Sequence, residues 1–213
     1  MRSYGEYCAL AKGLDVIGER WTLLIVRELL VRGPCRYTDL RFGLPGIATN
    51  LLAERLRELE LAGVIRREAA PPPVATALFH LTKRGEELEP VMRAIGSWGA
   101  PLLAEARDED EFRSHWLALP ANYSLVDGRP DLAPITIQVH TGDQPMVLEV
   151  GGTVRARPGV AEHADGVLTG QHKLILGVLQ GRLDLRQAQA EGLQFEGDPE
   201  VLSRLRPLSA AVV

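Results

Sequence analysis

CRYTDLRFGLPGIATNLLAERLRELELAGVIRRE, residues 35–68, is the stretch that decides the fold. Tyr37 and Leu40 stand among polar neighbours, and Gly43-Leu44-Pro45-Gly46 then forces the chain to turn. From Ala48 to Ala62 the period is helical: Leu52, Leu56 and Leu59 fall at i, i+4 and i+7. Asn50, Ala53, Glu54 and Arg57 occupy the opposite face at the same spacing. Gly63 closes this helix, and 64–68 with 77–81 read as a hairpin around a proline-rich loop. A short helix, a tight turn and a second helix with a polar outer face make a helix-turn-helix. In such a unit the second helix can lie in the DNA major groove.

Outward from that motif, composition sets the frame. The chain has 213 residues with 46% hydrophobic content, enough for one large or two small packed domains. Apolar runs fall far short of the roughly 20 residues of a membrane span, and no signal peptide is expected. Two cysteines, Cys8 and Cys35, are too few for a disulfide framework and fit a reducing interior, so a cytoplasmic protein without membrane contact is expected. The net charge of −4 divides unevenly: residues 1–104 carry +2 and residues 105–213 carry −6. Phosphate binding depends on local potential, so the weakly positive half remains a DNA candidate and the acidic half does not. The run Arg107-Asp108-Glu109-Asp110-Glu111 marks the boundary, giving expected domains 1–106 and 107–213.

Before the motif, Leu10, Leu14 and Ile17 follow helical spacing up to Gly18. A second helix from about Trp21 to Leu30 places Trp21, Leu24, Ile25 and Leu29 inside, with Arg27 and Glu28 outside. After the hairpin, Thr82 reads as the N-cap of a long helix carrying Leu88, Val91, Met92, Ile95, Trp98 and Leu102, with Pro90 a kink point. So long an apolar stripe on so small a domain suits a dimer interface.

The runs CALAKGLDVIGERWTLLIVREL (8–29), RYTDLRFGLPGIATNLLAERLRELELAGVI (36–65) and FHLTKRGEELEPVMRAIGSWG (79–99) together resemble the HxlR-type winged-helix transcriptional regulators. The resemblance implies a homodimer joined through the first and last helices of this half, bound to a double-stranded DNA operator. On this sequence it points to Thr49 and Asn50 as base readers and to Arg55 and Arg57 as phosphate or guanine contacts. Arg36, Tyr37 and Thr38 would meet a phosphate at the start of the preceding helix, and Arg67 the backbone at the base of the wing. The arginines also fit a solvated face paired with Glu54 and Glu58. Two departures stand out: Ala48-Thr49 replaces the family's usual Ser-Pro at the helix start, and 71–76 of the wing carries no charge. Cys8 occupies the place of a redox-sensing cysteine in some relatives, with Lys12 one turn on as a cation that could lower its pKa. It equally fits an inert thiol near the dimer seam, and Cys35 reads as a packed residue in a helix-start turn.

In the second half an amphipathic helix with Phe112, Trp116 and Leu119 is expected, then turns through 120–134. Strands follow at 135–139, 146–150, 153–157 and 165–169, then helices at 174–179 and 185–190, a strand at 193–196 and a helix at 199–205. Ile135, Ile137 and Val139 should face one way and Thr136, Gln138 and His140 the other. The fold class is therefore α+β. DGVLTGQHKLILGVLQGRLDLRQAQAEGLQFEGDPEVLSRL (165–205) resembles the sterol-carrier-protein-like fold, which implies a sheet roofed by helices over an apolar pocket. Trp116, Ile137, Val139, Met146, Leu148, Leu174 and Val178 would line that pocket around a hydrophobic small-molecule effector, or simply fill a core.

The five histidines are scattered away from other metal-ligand residues, and no nucleophile elbow, P-loop or dinucleotide fingerprint occurs, so neither a cofactor nor an enzyme is expected. The leading expectation is a DNA-binding regulator controlled by a hydrophobic ligand. The alternatives are a carrier or enzyme that uses the winged helix for protein contacts, and redox control through Cys8.

Overall fold

In the computed structural model, which describes residues 3–69, 77–107 and 109–208, Leu52, Leu56 and Leu59 are each at most 3% exposed. Their stripe is the centre of the first of two compact units, Met1–Asp108 and Glu109–Val213.

The first unit runs α1 (Ala9–Ile17), α2 (Thr22–Arg32), β1 (Cys35–Arg36), α3 (Tyr37–Phe42), α4 (Thr49–Leu61), β2 (Ile65–Ala69) and β3 (Ala77–Leu81). It closes with α5 (Lys83–Glu86), α6 (Glu89–Gly99) and a 3-10 turn, Ala100–Glu105. Ile25, Val26 and Leu29 of α2, Leu40 of α3, the α4 leucines, Ile65, Phe79 and Met92 form one continuous core. The hairpin gains a third strand that short-range patterning could not reveal. β1 pairs antiparallel with β3, Cys35 opposite Phe79, so the sheet order is β1-β3-β2. Two residues are too few to show alternation, and Cys35 therefore read as a turn residue.

The second helix corrects the sequence reading of its faces. Leu24 is 38% exposed, whereas Glu28 is fully buried. Trp21 lies outside the helix as its N-cap, at φ 77°, a left-handed conformation that bulky residues adopt only at a cost. The long helix expected after Thr82 is divided. The Thr82 hydroxyl accepts from the Gly85 N–H as a cap for α5, and α6 restarts with Pro90 in its first turn. Pro90 restricts the residue before it and lacks an N–H, so it begins a helix better than it continues one. Pro101 opens the closing 3-10 turn in the same way.

The second unit opens with a 3-10 turn, Ser114–Leu117, then α7 (Ala118–Ser124) and β4 (Leu125–Asp127). Phe112 thus precedes the helical segment, and 120–127 is ordered where only turns were expected. Strands β5 (Ile135–His140), β6 (Met146–Gly151) and β7 (Thr153–Pro158) form a meander. The chain then crosses to β8 (Gly166–Thr169), α8 (His172–Leu179), α9 (Leu185–Ala190), β9 (Gln194–Gly197), α10 (Pro199–Ser203) and β10 (Leu205–Pro207). The five-stranded sheet has the order β7-β6-β5-β8-β9; β5 and β8 are parallel and the other pairs antiparallel. The last expected helix stops at Ser203 because the chain turns into β10, which pairs with β4.

Gln138 departs from the expected polar outer face. It is 4% exposed, donating to the Met146 and Gly159 carbonyls and accepting from the Ala161 N–H. A segment covering that side of the sheet thereby satisfies a buried amide. Asp127 and Arg204 form a buried ion pair at 2.7 Å, and Arg204 also donates to the Ala133 carbonyl. The Arg204 hydrogen bond, backed by the Arg129 and Gly152 N–H groups, holds the Asp127 carboxyl down at about 2. Among the described residues no helix is long and apolar enough to cross a membrane.

Candidate nucleic-acid interface

The position of α4 is fixed from behind by charges. Within α2, Arg27 donates through Nε to the buried Glu28 carboxylate at 3.0 Å and through Nη2 to the Gly43 carbonyl at 3.0 Å. Arg32 reaches the other Glu28 oxygen at 4.0 Å and the Asp39 carbonyl at 3.4 Å. Burial pushes the Arg27 pKa down, and the neighbouring Glu28 charge opposes that shift. The turn between α3 and α4 is therefore bolted to α2, with Leu44 and Ile47 buried beneath it. Sequence patterning missed Arg27 and Glu28 because a charged pair in a helix normally reads as a solvated face; the nearby Gly43 was read only as a turn former.

Tyr37, half-buried at the start of α3, donates its hydroxyl to the Thr49 carbonyl at 2.8 Å, joining the two helices of the motif. The Asp39 side chain accepts from the Arg36 N–H at 2.9 Å, and Arg36 and Thr38 are exposed. Ala48 is the N-cap of α4 in extended geometry and supplies no side-chain hydrogen bond. Thr49 is the first helical residue and does not take over the cap, an absence that costs about 1 kcal/mol. The first-turn N–H groups and the positive end of the helix dipole consequently meet the outside without a side-chain cap.

Along α4, Thr49, Asn50, Ala53, Glu54 and Arg57 are all exposed and share one face. Among the described residues Arg57 makes no ion pair. Arg55 differs. It was expected to contact phosphate or guanine, but its side chain is 11% exposed and bound to Glu58, with Glu19 at 3.8 Å and Glu54 at 3.9 Å. It is turned toward the chain between α1 and α2, where its charge is neutralised inside the unit. A helix position two residues from Arg57 lies about 200° around the axis, so the two arginines cannot serve one surface.

At the wing, Arg67 is exposed, while Arg66 pairs with Glu68, which also lies 3.6 Å from the His80 Nε2. Residues 71–76, whose lack of charge bore on minor-groove contact, fall outside the described residues. Rows of exposed apolar side chains lie on the first and last helices. Leu10 and Leu14 occupy α1 beyond Tyr4 and Tyr7, and Val91, Ile95 and Trp98 occupy α6, followed by Leu102. Cys8 is exposed as the N-cap of α1. Lys12, its expected cation, pairs with Asp15 at 3.6 Å. Cys35 is buried, and burial raises its thiol to about 12.

In the second unit, Ile137, Val139, Met146 and Leu148 are at most 2% exposed and Leu174 is 8% exposed. Ile137 pairs with Leu148 and Val139 with Met146 across β5 and β6, so these four share a packed sheet face. Val178 and Trp116 are half-buried, and Trp116 lies edge-on to Phe112 at 6.5 Å. The sheet residues thus pack as core. An open cleft in this unit is lined instead by Asp184, Leu185, Arg186, Gln189, Phe195, Gly197 and Pro199.

The model of the HxlR-like helix-turn-helix family matches residues 16–107. The uncharacterized HTH-type transcriptional regulator YvaP of Bacillus subtilis is 37% identical over 87 residues, covering 41% of this chain and 80% of that protein. A second uncharacterized HTH-type regulator, from Synechocystis, is 35% identical over 101 residues, covering 47% of this chain and 74% of its own. Among solved structures, the redox regulator HypR in its reduced form is 29% identical with a TM-score of 0.41, covering 46% of this chain and 100% of that one. Through its first unit, a winged helix-turn-helix, this chain belongs to the HxlR family of transcriptional regulators.

Proposed function

We propose that this protein is a homodimeric, operator-binding repressor whose affinity for DNA is set by a hydrophobic small molecule held in its second unit. The observation that carries the DNA-reading part is the outward row of α4. Thr49 and Asn50 face bases, Arg57 faces a phosphate or guanine, and Arg36, Tyr37, Thr38 and Arg67 flank it. The apolar rows of α1 and α6 support a two-fold dimer, which sets half-sites one or two helical turns apart. The mixed sheet with α8 and α9 after its crossover supports a sterol-carrier-protein-like second unit. With five of the seven expected lining residues packed as core, a ligand there must part α8 or the Trp116 segment from the sheet. A coupling of about 1–3 kcal/mol between ligand and DNA changes operator affinity roughly 5- to 150-fold. Footprinting on the upstream region of its own gene, with and without a panel of hydrophobic metabolites, tests both parts. A protected near-palindrome whose occupancy falls with one metabolite is expected; an unchanged footprint across the panel removes the ligand, and no footprint removes the operator.

A second reading, thiol control, is favoured by the exposure of Cys8 at the N-cap of α1, beside the apolar row assigned to the dimer. It requires that Cys8→Ser abolish any effect of diamide on operator binding. An unchanged response in that variant rules it out.

A further inference from the structure

Glu54 sits at the edge of the α4 row, one turn after Asn50 and three residues before Arg57, and its side chain is 55% exposed. A carboxylate is an unexpected group to present to a polyanion. Its intramolecular contact is a loose ion pair with Arg55, which leaves the carboxylate open to solvent. Arg55 donates its hydrogen bond to Glu58, whereas Glu54 pairs with the Arg55 Nη2 only at 3.9 Å, beyond hydrogen-bonding reach. We infer that Glu54 is a specificity-determining residue that selects cytosine in the major groove by accepting a hydrogen bond from its N4 amino group.

This inference rests on the reading of α4 as the helix that enters the groove. The choice of base follows from what a carboxylate can do. Ionised, it accepts hydrogen bonds and donates none. Guanine presents two acceptors at its major-groove edge, thymine an acceptor and a methyl group, and adenine an N7 acceptor beside its amino donor. In the duplex the cytosine N4 donor has an acceptor on one side only, the O6 of its paired guanine, whereas the adenine amino group lies between its own N7 and the thymine O4. Glu54 therefore favours cytosine over the other three bases, so its cost near phosphate becomes selectivity rather than lost affinity everywhere. Arg57, one turn further along the same face, supplies positive charge beside it. Ala53, adjacent on that face, leaves room for the carboxylate to reach the base edge.

The test is selection of duplexes from a random pool by the full chain, followed by binding measurements on the four single-base variants at each selected position. Wild type, Glu54→Gln, Glu54→Ala and Asn50→Ala are compared. The wild type is expected to select one cytosine per half-site, with discrimination in the range of roughly 5- to 150-fold. Glu54→Ala should flatten that position alone. Glu54→Gln, which gains a donor at the same reach, should move the preference to adenine. Asn50→Ala should flatten a different position. If Glu54→Ala retains the wild-type preference at every position while Asn50→Ala loses one, the inference is overturned and α4 remains the reading helix. If the wild type selects no motif, or neither Asn50→Ala nor Glu54→Ala changes any preference, the reading of α4 falls and takes the inference with it.

Discussion

The Glu28 carboxylate fills the space that a side chain at position 43 would need: its Oε2 lies 1.8 Å from where a Cβ on Gly43 would stand. Gly43 is thus required by close approach, since its own backbone is ordinary right-handed helix, φ −75°. Gly43→Ala must displace a buried, doubly paired carboxylate, at about 1–3 kcal/mol for overpacking. The expected result is a lower midpoint for the first unit in urea and weaker operator binding. Gly96→Ala, inside α6 where an added Cβ meets nothing within 4 Å, should instead raise the midpoint slightly, by up to about 1 kcal/mol of helix propensity.

The two arginines of α4 should separate stability from recognition. Arg57→Ala is expected to keep the melting temperature, weaken DNA binding, and reduce the slope of log affinity against log salt by about one. Arg55→Ala removes the partner of Glu58 and Glu19 and should lower the melting temperature first. Calorimetry beside a salt titration of binding checks both. Equal melting temperatures for the two variants would place Arg55 on the DNA side after all.

Ala48→Ser restores a side-chain acceptor for the open first turn of α4 and should stabilise the first unit by about 1 kcal/mol. A urea melt of wild type and variant decides it, a rise in midpoint being expected.

Asp127 carries the pH dependence of the second unit. Its folded pKa of about 2 lies below its ordinary value of 3.8. The pair with Arg204 therefore contributes fully above pH 4 and is lost as pH falls toward 2. Urea midpoints measured from pH 5 to 2 should fall more steeply in the wild type than in Asp127→Asn, which is destabilised throughout.

Thiol labelling should divide the cysteines. With Cys35 buried and its thiol raised to about 12, iodoacetamide at pH 8 should modify the native chain only at Cys8. Both should label in denaturant, and labelling of Cys35 in the folded chain would contradict its packing.

Local periodicity carried most of what was legible in the sequence. The α4 leucines, the glycine-rich turn, the hairpin at 65–81 and the meander at 135–158 all repeat at short range, and the structure has each of them. What escaped depends on partners distant in sequence. β1 exists only because β3 lies beside it, Gln138 is buried only because 159–161 covers it, and Arg204 meets Asp127 across 77 positions. Glu28 and Arg55 show the same limit at the candidate site. A charged residue on a helix reads as solvated until the structure supplies the opposite charge that holds it inside.

Methylation protection at guanine N7 across a bound operator tests the role of α4 most directly, because N7 lies in the major groove. Two protected patches one or two helical turns apart, lost together when Thr49, Asn50 and Arg57 are all replaced by Ala in a folded dimer, are expected. Full N7 accessibility under a saturated complex, or protection that survives the triple replacement, would contradict major-groove reading by this helix.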